Sequence, residues 1–476
     1  VPDTVAMDTG AFSGQWFSNP AQYEYHGDEG DIGPEVPQLE EELFNTLLRP
    51  IIGDYTDVYD LEVNSEGPHP VRPVLQFAHA GFHPLMNENL IKAGYFMPLP
   101  VQVATLGAIK EGRDVLVTSF TGSGKTVAYL APSISRFMGK WKTACKPRPR
   151  RDTPQGVRYR AEPVILIIVP TRELAAQIFD EARRLSYRSM LRPCVVYGGG
   201  PLKTQAEELE KGCDILIATP GRLADFLGRP GSLGMNRVKV TIIDEADEIL
   251  KGTWLDHKEQ SIDVLIDSND DEDHQFMMFS ATFPPDIREV ADDFLANNKM
   301  IISIGRVGGT HLNIDQRVYY VDSYLRDNAL YDLLMSCEPG RTLVFCNSIW
   351  LAEHVDDLLF SKGLPVTLLH SQMTQVERED AVRAFKVGSA PIMACTSVAC
   401  RGLDIRGVTH VINYTLPQHD KGGVDEYVHR IGRTARVGNK GLATAFFTEK
   451  DQPLAKDLHP LLKENGVDVP DWLEEF

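Results

Sequence analysis

A pair of parallel-sheet α/β domains in tandem is the fold this sequence predicts, on three observations. Short apolar, β-rich runs alternate with longer stretches of helical periodicity, and the alternation comes in two series. A glycine-rich segment without periodicity separates the series. At 476 residues the chain also exceeds one ordinary core and suits two domains with extensions.

The first series places strands at residues 115–118, 164–169, 215–218, 240–243 and 277–279. The second places them at 342–346, 366–369, 392–395, 408–413 and 443–447. Each run is three to six residues long, short enough for a strand buried on both faces. Residues 304–313 (IGRVGGTHLN) are the natural linker. The expected division is therefore an acidic extension over 1–70, a first domain over 71–303, a linker over 304–316 and a second domain over 317–476.

Composition narrows the function. The 43% hydrophobic and 24% charged content is that of a soluble globular chain. No apolar run approaches the roughly 18 residues that cross a bilayer, and the N-terminus lacks a signal-peptide layout, so an intracellular protein without a membrane partner is expected. Seven cysteines without a CxxC pair suggest neither a disulfide framework nor a zinc site. A net charge of -19 at first argues against binding phosphates. Its distribution reverses that. Residues 1–70 hold fifteen acids and one base, Arg49, so the other 406 residues carry only -5. Within that body, residues 140–160 hold eight bases against Asp152, leaving room for a local basic cleft or a solvated loop. The extension has isolated aromatics (Trp16, Phe17, Tyr23, Tyr25) and no sustained period, so it is expected to be partly ordered at best.

After the run at 115–118 comes Ser119-Phe120-Thr121-Gly122-Ser123-Gly124-Lys125-Thr126. Glycines let backbone N–H groups turn inward around phosphate oxygens, and the following helix presents its positive end. Lys125 would reach the outer phosphates and Thr126 would ligate Mg²⁺. The run at 240–243 delivers Asp244-Glu245-Ala246-Asp247 at its carboxyl end, where ligands bind in such sheets. Asp244 could hold Mg²⁺ and Glu245 could orient and deprotonate the attacking water. Ser280 and Thr282 end another apolar run, so their hydroxyls could couple to this acidic cluster through Asp247.

In this order the motifs resemble those of the DEAD-box RNA helicases, over roughly residues 77–445. The resemblance implies two RecA-like domains joined by a short linker, with ATP and Mg²⁺ bound between them. Residues 94–102 (GYFMPLPVQ) are similar to the family's adenine-reading segment, with Gln102 on the base edge and Phe77 at the stacking position. Thr171, Arg172, Gly199, Thr219, Gly221 and Arg222 fall on its RNA-backbone motifs in the first domain. Thr396 falls on an RNA motif of the second domain, and Asp404 on the ribose-binding position. Residues 429–436 (HRIGRTAR) resemble the arginine-finger motif. Arg430 and Arg433 are one turn apart and are both expected to face the γ-phosphate. The segments IGRVGG, TSVA and VPDWL resemble the Vasa and translation-initiation branch. Leu99, Ser119-Phe120 and Cys400 depart from the family's usual residues, and residues 419–423 (HDKGG) are an insertion.

The function implied is an RNA-stimulated ATPase that closes on RNA and locally separates short duplexes, the RNA being held by its backbone without regard to sequence. An ATP-locked RNA clamp that unwinds little is the alternative, and the acidic extension would suit it as a protein-docking tail. A cytoplasmic monomer, with ribonucleoprotein granules as one setting, is expected.

Overall fold

The computed structural model describes residues 32–44, 62–69, 71–120, 122–147, 159–229, 231–250, 274–282, 285–305, 313–400, 407–420, 422–435, 440–467 and 469–474. Among these residues the strands are β1 (Val63–Glu66), β2 (Val115–Ser119), β3 (Ile165–Ile168), β4 (Pro193–Val196), β5 (Ile215–Ala218), β6 (Val240–Asp244), β7 (Gln275–Ser280), β8 (Met300–Ile304), β9 (Ile314–Tyr320), β10 (Arg341–Cys346), β11 (Val366–Leu369), β12 (Ile392–Thr396), β13 (Val408–Asn413) and β14 (Gly441–Phe447). They form two sheets, β1-β8-β2-β7-β6-β3-β5-β4 and β11-β12-β10-β13-β14-β9. Every pairing is parallel except that of β1 with β8.

The central strands read as apolar runs because both faces of each sheet are covered there, whereas the edge strands β1 and β9 do not. In the first sheet, Ile165 and Ile167 face one core while Leu166 and Ile168 face another across the sheet. The second sheet is sandwiched the same way, with Leu343 and Phe345 on one side and Val344 and Cys346 on the other. No helix among the described residues is long and apolar enough to cross a membrane.

Three features differ from the sequence-based expectation. Residues 314–316 belong to β9, which pairs along its whole length with β14, so the linker is shorter than 304–316. Strand β1, inside the expected extension, adds an antiparallel edge to the first sheet. Its four side chains are all exposed, which left no apolar signal to read. The extension also supplies the helix Pro37–Phe44, which docks on the helix Arg172–Leu185. Leu39, Leu43 and Phe44 cluster with Ala93 and Tyr187, and Phe44 meets the Tyr187 ring edge-on at 5.7 Å. Its acids pair with bases of the first domain, Glu40 with Lys92 at 2.6 Å and Glu42 with Arg183 at 2.9 Å. Part of the acidic charge is therefore neutralised inside the fold.

Candidate active site and RNA groove

The carboxyl ends of β2, β6 and β7 meet at one point. Strand β2 runs into the phosphate loop, where Gly122 and Gly124 take positive φ angles of 86° and 95°. At Gly124 a Cβ would also meet the Gln102 amide nitrogen at 2.8 Å, so both φ and space require glycine. The Gln102 amide ties the adenine-reading segment to this loop, donating to Gly124 O at 3.0 Å and accepting from Leu99 N at 2.9 Å. Phe77, by contrast, is only 6% exposed and stacks on Phe82 within the core. Ser119 and Ser123, both buried, share a hydroxyl hydrogen bond of 2.6 Å across the loop. Thr121 lies outside the described residues.

Lys125 begins the next helix, Lys125–Phe137, and its ammonium donates to Ser119 O at 2.6 Å. Burial pushes its pKa down, while the charges of Asp244, Glu245 and Asp247 oppose this. Asp244 ends β6 and is buried; its Oδ2 accepts from the Tyr129 hydroxyl at 2.8 Å and its Oδ1 from Glu245 N at 3.0 Å. Burial raises the Asp244 pKa, against the pull of Lys125. Tyr129 escaped the motif reading. The available signal was position alone, since four residues after Lys125 on a helix puts Tyr129 on the same face.

Glu245 sits at φ 51°, the left-handed region that side chains rarely adopt, at the turn between β6 and the helix Ala246–Leu250. Burial raises its pKa, and the charge of Arg433 from the second domain lowers it. The charge of Arg433 thus reaches across the domains to the carboxylate expected to handle water. Arg430 is placed elsewhere. Its guanidinium, 4% exposed, donates to Ser397 Oγ (2.8 Å), Asn413 Oδ1 (3.2 Å), Thr415 O (2.7 Å) and Asn347 Oδ1 (2.8 Å), all in the second domain. It also lies over the Phe345 ring at 5.4 Å. Both arginines are expected to face the γ-phosphate; here Arg430 knits three strand ends together within the second domain, while the charge of Arg433 reaches Glu245.

Asp247 joins the domains. Its Oδ2 accepts from the Thr282 hydroxyl at 2.8 Å and faces His429 Nε2 at 3.3 Å, with Ser280 alongside. Burial would raise its pKa, but His429 and the two hydroxyls hold it far below the carboxylate range. Sequence reading gave His429 no role of its own, because its partner lies 182 residues away in the chain.

The first-domain RNA candidates form one patch at the ends of β3, β4 and β5. Thr171 caps the helix Arg172–Leu185, accepting from Leu174 N at 3.3 Å. A Cβ at Gly199 would strike the Arg172 guanidinium, so that glycine lets the arginine lie across the loop. Arg222 donates to Gly200 O at 3.2 Å and Gln205 Oε1 at 3.0 Å, and Thr219 Oγ1 accepts from Gly198 N at 3.3 Å. Gly221 is exposed beside Arg222 with open space around it. In the second domain Thr396 ends β12. A hydrogen-bonded ion pair between Glu173 and Arg378 crosses from one domain to the other next to Arg172. Asp404 lies outside the described residues.

Comparisons with known proteins agree with this layout. The family described as DEAD/DEAH box helicase matches residues 99–290, and the Helicase conserved C-terminal domain matches residues 325–438. The two matches together take in well over half of the chain. The fold is similar to that of S. cerevisiae Dbp5 bound to RNA and ADP BeF3, at 23% identity over 83% of this chain and 95% of that one, TM-score 0.68. It is also similar to the DEAD-box helicase Mss116 bound to ssRNA and UDP-BeF, at 22% identity over 85% and 82%, TM-score 0.70. With the tetrad Asp244-Glu245-Ala246-Asp247 at the end of β6 and both helicase domains matched in order, the chain belongs to the DEAD-box RNA helicase family.

Proposed function

We propose that this helicase holds ATP between the phosphate loop of the first domain and Arg433 of the second, while an RNA backbone lies across the neighbouring patch. One observation carries the reading: His429 of the second domain lies 3.3 Å from Asp247 of the first, which brings the finger segment up to the acidic cluster, where the charge of Arg433 acts on Glu245. A finger contributed by the second domain makes closure a condition of hydrolysis, and such fingers are worth roughly 10³ to 10⁵ in rate.

In this reading Glu245 accepts the proton of the attacking water, and its burial-raised pKa keeps it basic enough to do so. Lys125 leaves its loop carbonyls for the outer phosphates, and Gln102 and Phe77 serve the adenine end. Asp244 and Thr126 fit a bound Mg²⁺. Each Asp244 oxygen accepts one hydrogen bond and keeps a lone pair for a hard cation. Such an ion would neutralise charge on the phosphates. Thr171, Arg172, Gly199, Thr219, Gly221, Arg222 and Thr396 hold phosphates and 2′-hydroxyls, and a groove that accepts only a bent single strand parts a short duplex locally. ATP and RNA both prefer the closed form, so each tightens the other.

The linker and C-terminal segments support placing the chain in the Vasa and translation-initiation branch. We also assign a protein partner to the acidic extension and a cytoplasmic setting to the complex.

ATP hydrolysis by the whole chain, with and without single-stranded RNA and with Glu245→Gln as control, tests the proposal. Strong RNA stimulation that the control abolishes is expected. RNA affinity that is the same with and without a non-hydrolysable ATP analogue would overturn the closure mechanism.

A further inference from the structure

The helix Ile349–Ser361 carries an exposed face that the ATP and RNA chemistry does not use. Ala352, Val355 and Leu359 bury its inner side against the second sheet. Its outer side presents Trp350, Glu353, Asp357 and Phe360, spaced three, four and three residues apart. At about 100° per residue these four fall within an arc of about 80°, and Trp350 and Phe360 stand about 15 Å apart along the axis. Trp350 is 69% exposed and Phe360 74%. Two large aromatics left in water on one line, with two carboxylates between them, are not packing residues.

The aromatic end is built rather than loose. The Trp350 ring stacks on His354 at 5.8 Å with 17° between planes, and His354 Nε2 is fixed by Asp327 Oδ2 at 2.9 Å. The indole therefore offers a flat, pre-oriented face.

From this we infer a docking surface for an arginine-bearing segment of a protein partner. A guanidinium lies flat on an indole or phenyl ring and at the same time donates to a carboxylate beside it. The Trp350–Glu353 and Asp357–Phe360 pairs repeat that arrangement at the two ends of the stripe. Charge decides between occupants. An RNA base could stack on Trp350, but its phosphates would run past Glu353 and Asp357, which repel them. A lysine segment would satisfy the carboxylates and gain less from the rings, since an ammonium is compact and strongly hydrated.

The test uses the whole chain and a fluorescent peptide of Arg-Gly-Gly repeats, with a Lys-Gly-Gly peptide of equal length and a labelled oligouridine as comparators. The arginine peptide should bind at least about fivefold tighter than the lysine one. Trp350→Ala, and separately Glu353→Gln with Asp357→Asn, should each weaken it about tenfold. Oligouridine affinity, RNA-stimulated hydrolysis and the thermal midpoint should not change in these surface variants. Equal binding of both peptides that ignores Trp350→Ala would reduce the effect to the chain's net charge and overturn the inference. So would an absence of arginine-peptide binding, or a loss of oligouridine affinity in Trp350→Ala.

Discussion

His429 Nε2 of the second domain lies 3.3 Å from Asp247 Oδ2 of the first, and the same Asp247 oxygen accepts the Thr282 hydroxyl at 2.8 Å. A single carboxylate oxygen thus links the nucleotide side of one sheet to the finger helix of the other.

This contact makes closure depend on pH. Burial by itself would lower the His429 pKa, but Asp247, Glu248 and Glu426 raise it on balance above its ordinary 6.5. A histidine with a raised pKa in the closed form contributes fully below the ordinary value, and the contribution is lost as pH rises through the raised one. Asp247, held low, contributes above its ordinary 3.8 and loses this only as pH falls well below it. Affinity for RNA in the presence of an ATP analogue should weaken progressively above pH 6.5, and His429→Gln should flatten the profile. Fluorescence anisotropy across pH checks both.

Arg433 and Arg430 should fail in different ways. Arg433→Ala is expected to lower kcat roughly 10³-fold or more with little change in thermal midpoint. Arg430→Ala removes the donor for Asn413, Thr415 O and Asn347 and strands Glu426, so a loss of about 3 kcal/mol in stability should accompany its loss of activity. Denaturant unfolding beside steady-state ATPase kinetics separates the two.

Tyr129→Phe deletes one hydroxyl, the donor to Asp244 Oδ2. Hydrogen bonds to a charged group are worth about 1.5 to 3 kcal/mol, so stability should fall by no more than that. The Asp244 pKa should rise further, moving the acid limb of the hydrolysis profile to higher pH, which a pH titration of kcat reads directly.

The docked helix of the extension belongs to the first domain energetically. Leu39 is fully buried, and Leu39→Ala should cost about 2 to 4 kcal/mol. Glu42→Gln, which breaks a partly exposed pair with Arg183, should cost under about 1 kcal/mol. Thermal unfolding of both variants against the parent chain measures the ratio.

The two parallel sheets were legible because a strand buried on both faces must be an apolar run, and ten such runs stand out in order. The phosphate loop and Asp244-Glu245-Ala246-Asp247 were legible for a related reason: a backbone that turns around phosphate, or a carboxylate set at a strand end, needs particular residues at fixed local spacing. Strand β1 carries no such mark, being exposed on every residue, and only its pairing with β8 makes it a strand. Helix Pro37–Phe44 is too short to show a period convincingly, and its leucines find their core only once Tyr187 is folded beside them. The sequence by itself therefore determined the local machinery and its order along the chain. Tertiary structure alone decided that the charge of Arg433 reaches Glu245 while Arg430 is consumed by Asn347, Asn413 and Thr415, that Tyr129 holds Asp244, and that His429 answers Asp247. These are contacts between groups brought together by sheet order and domain closure, and no spacing along a chain encodes them.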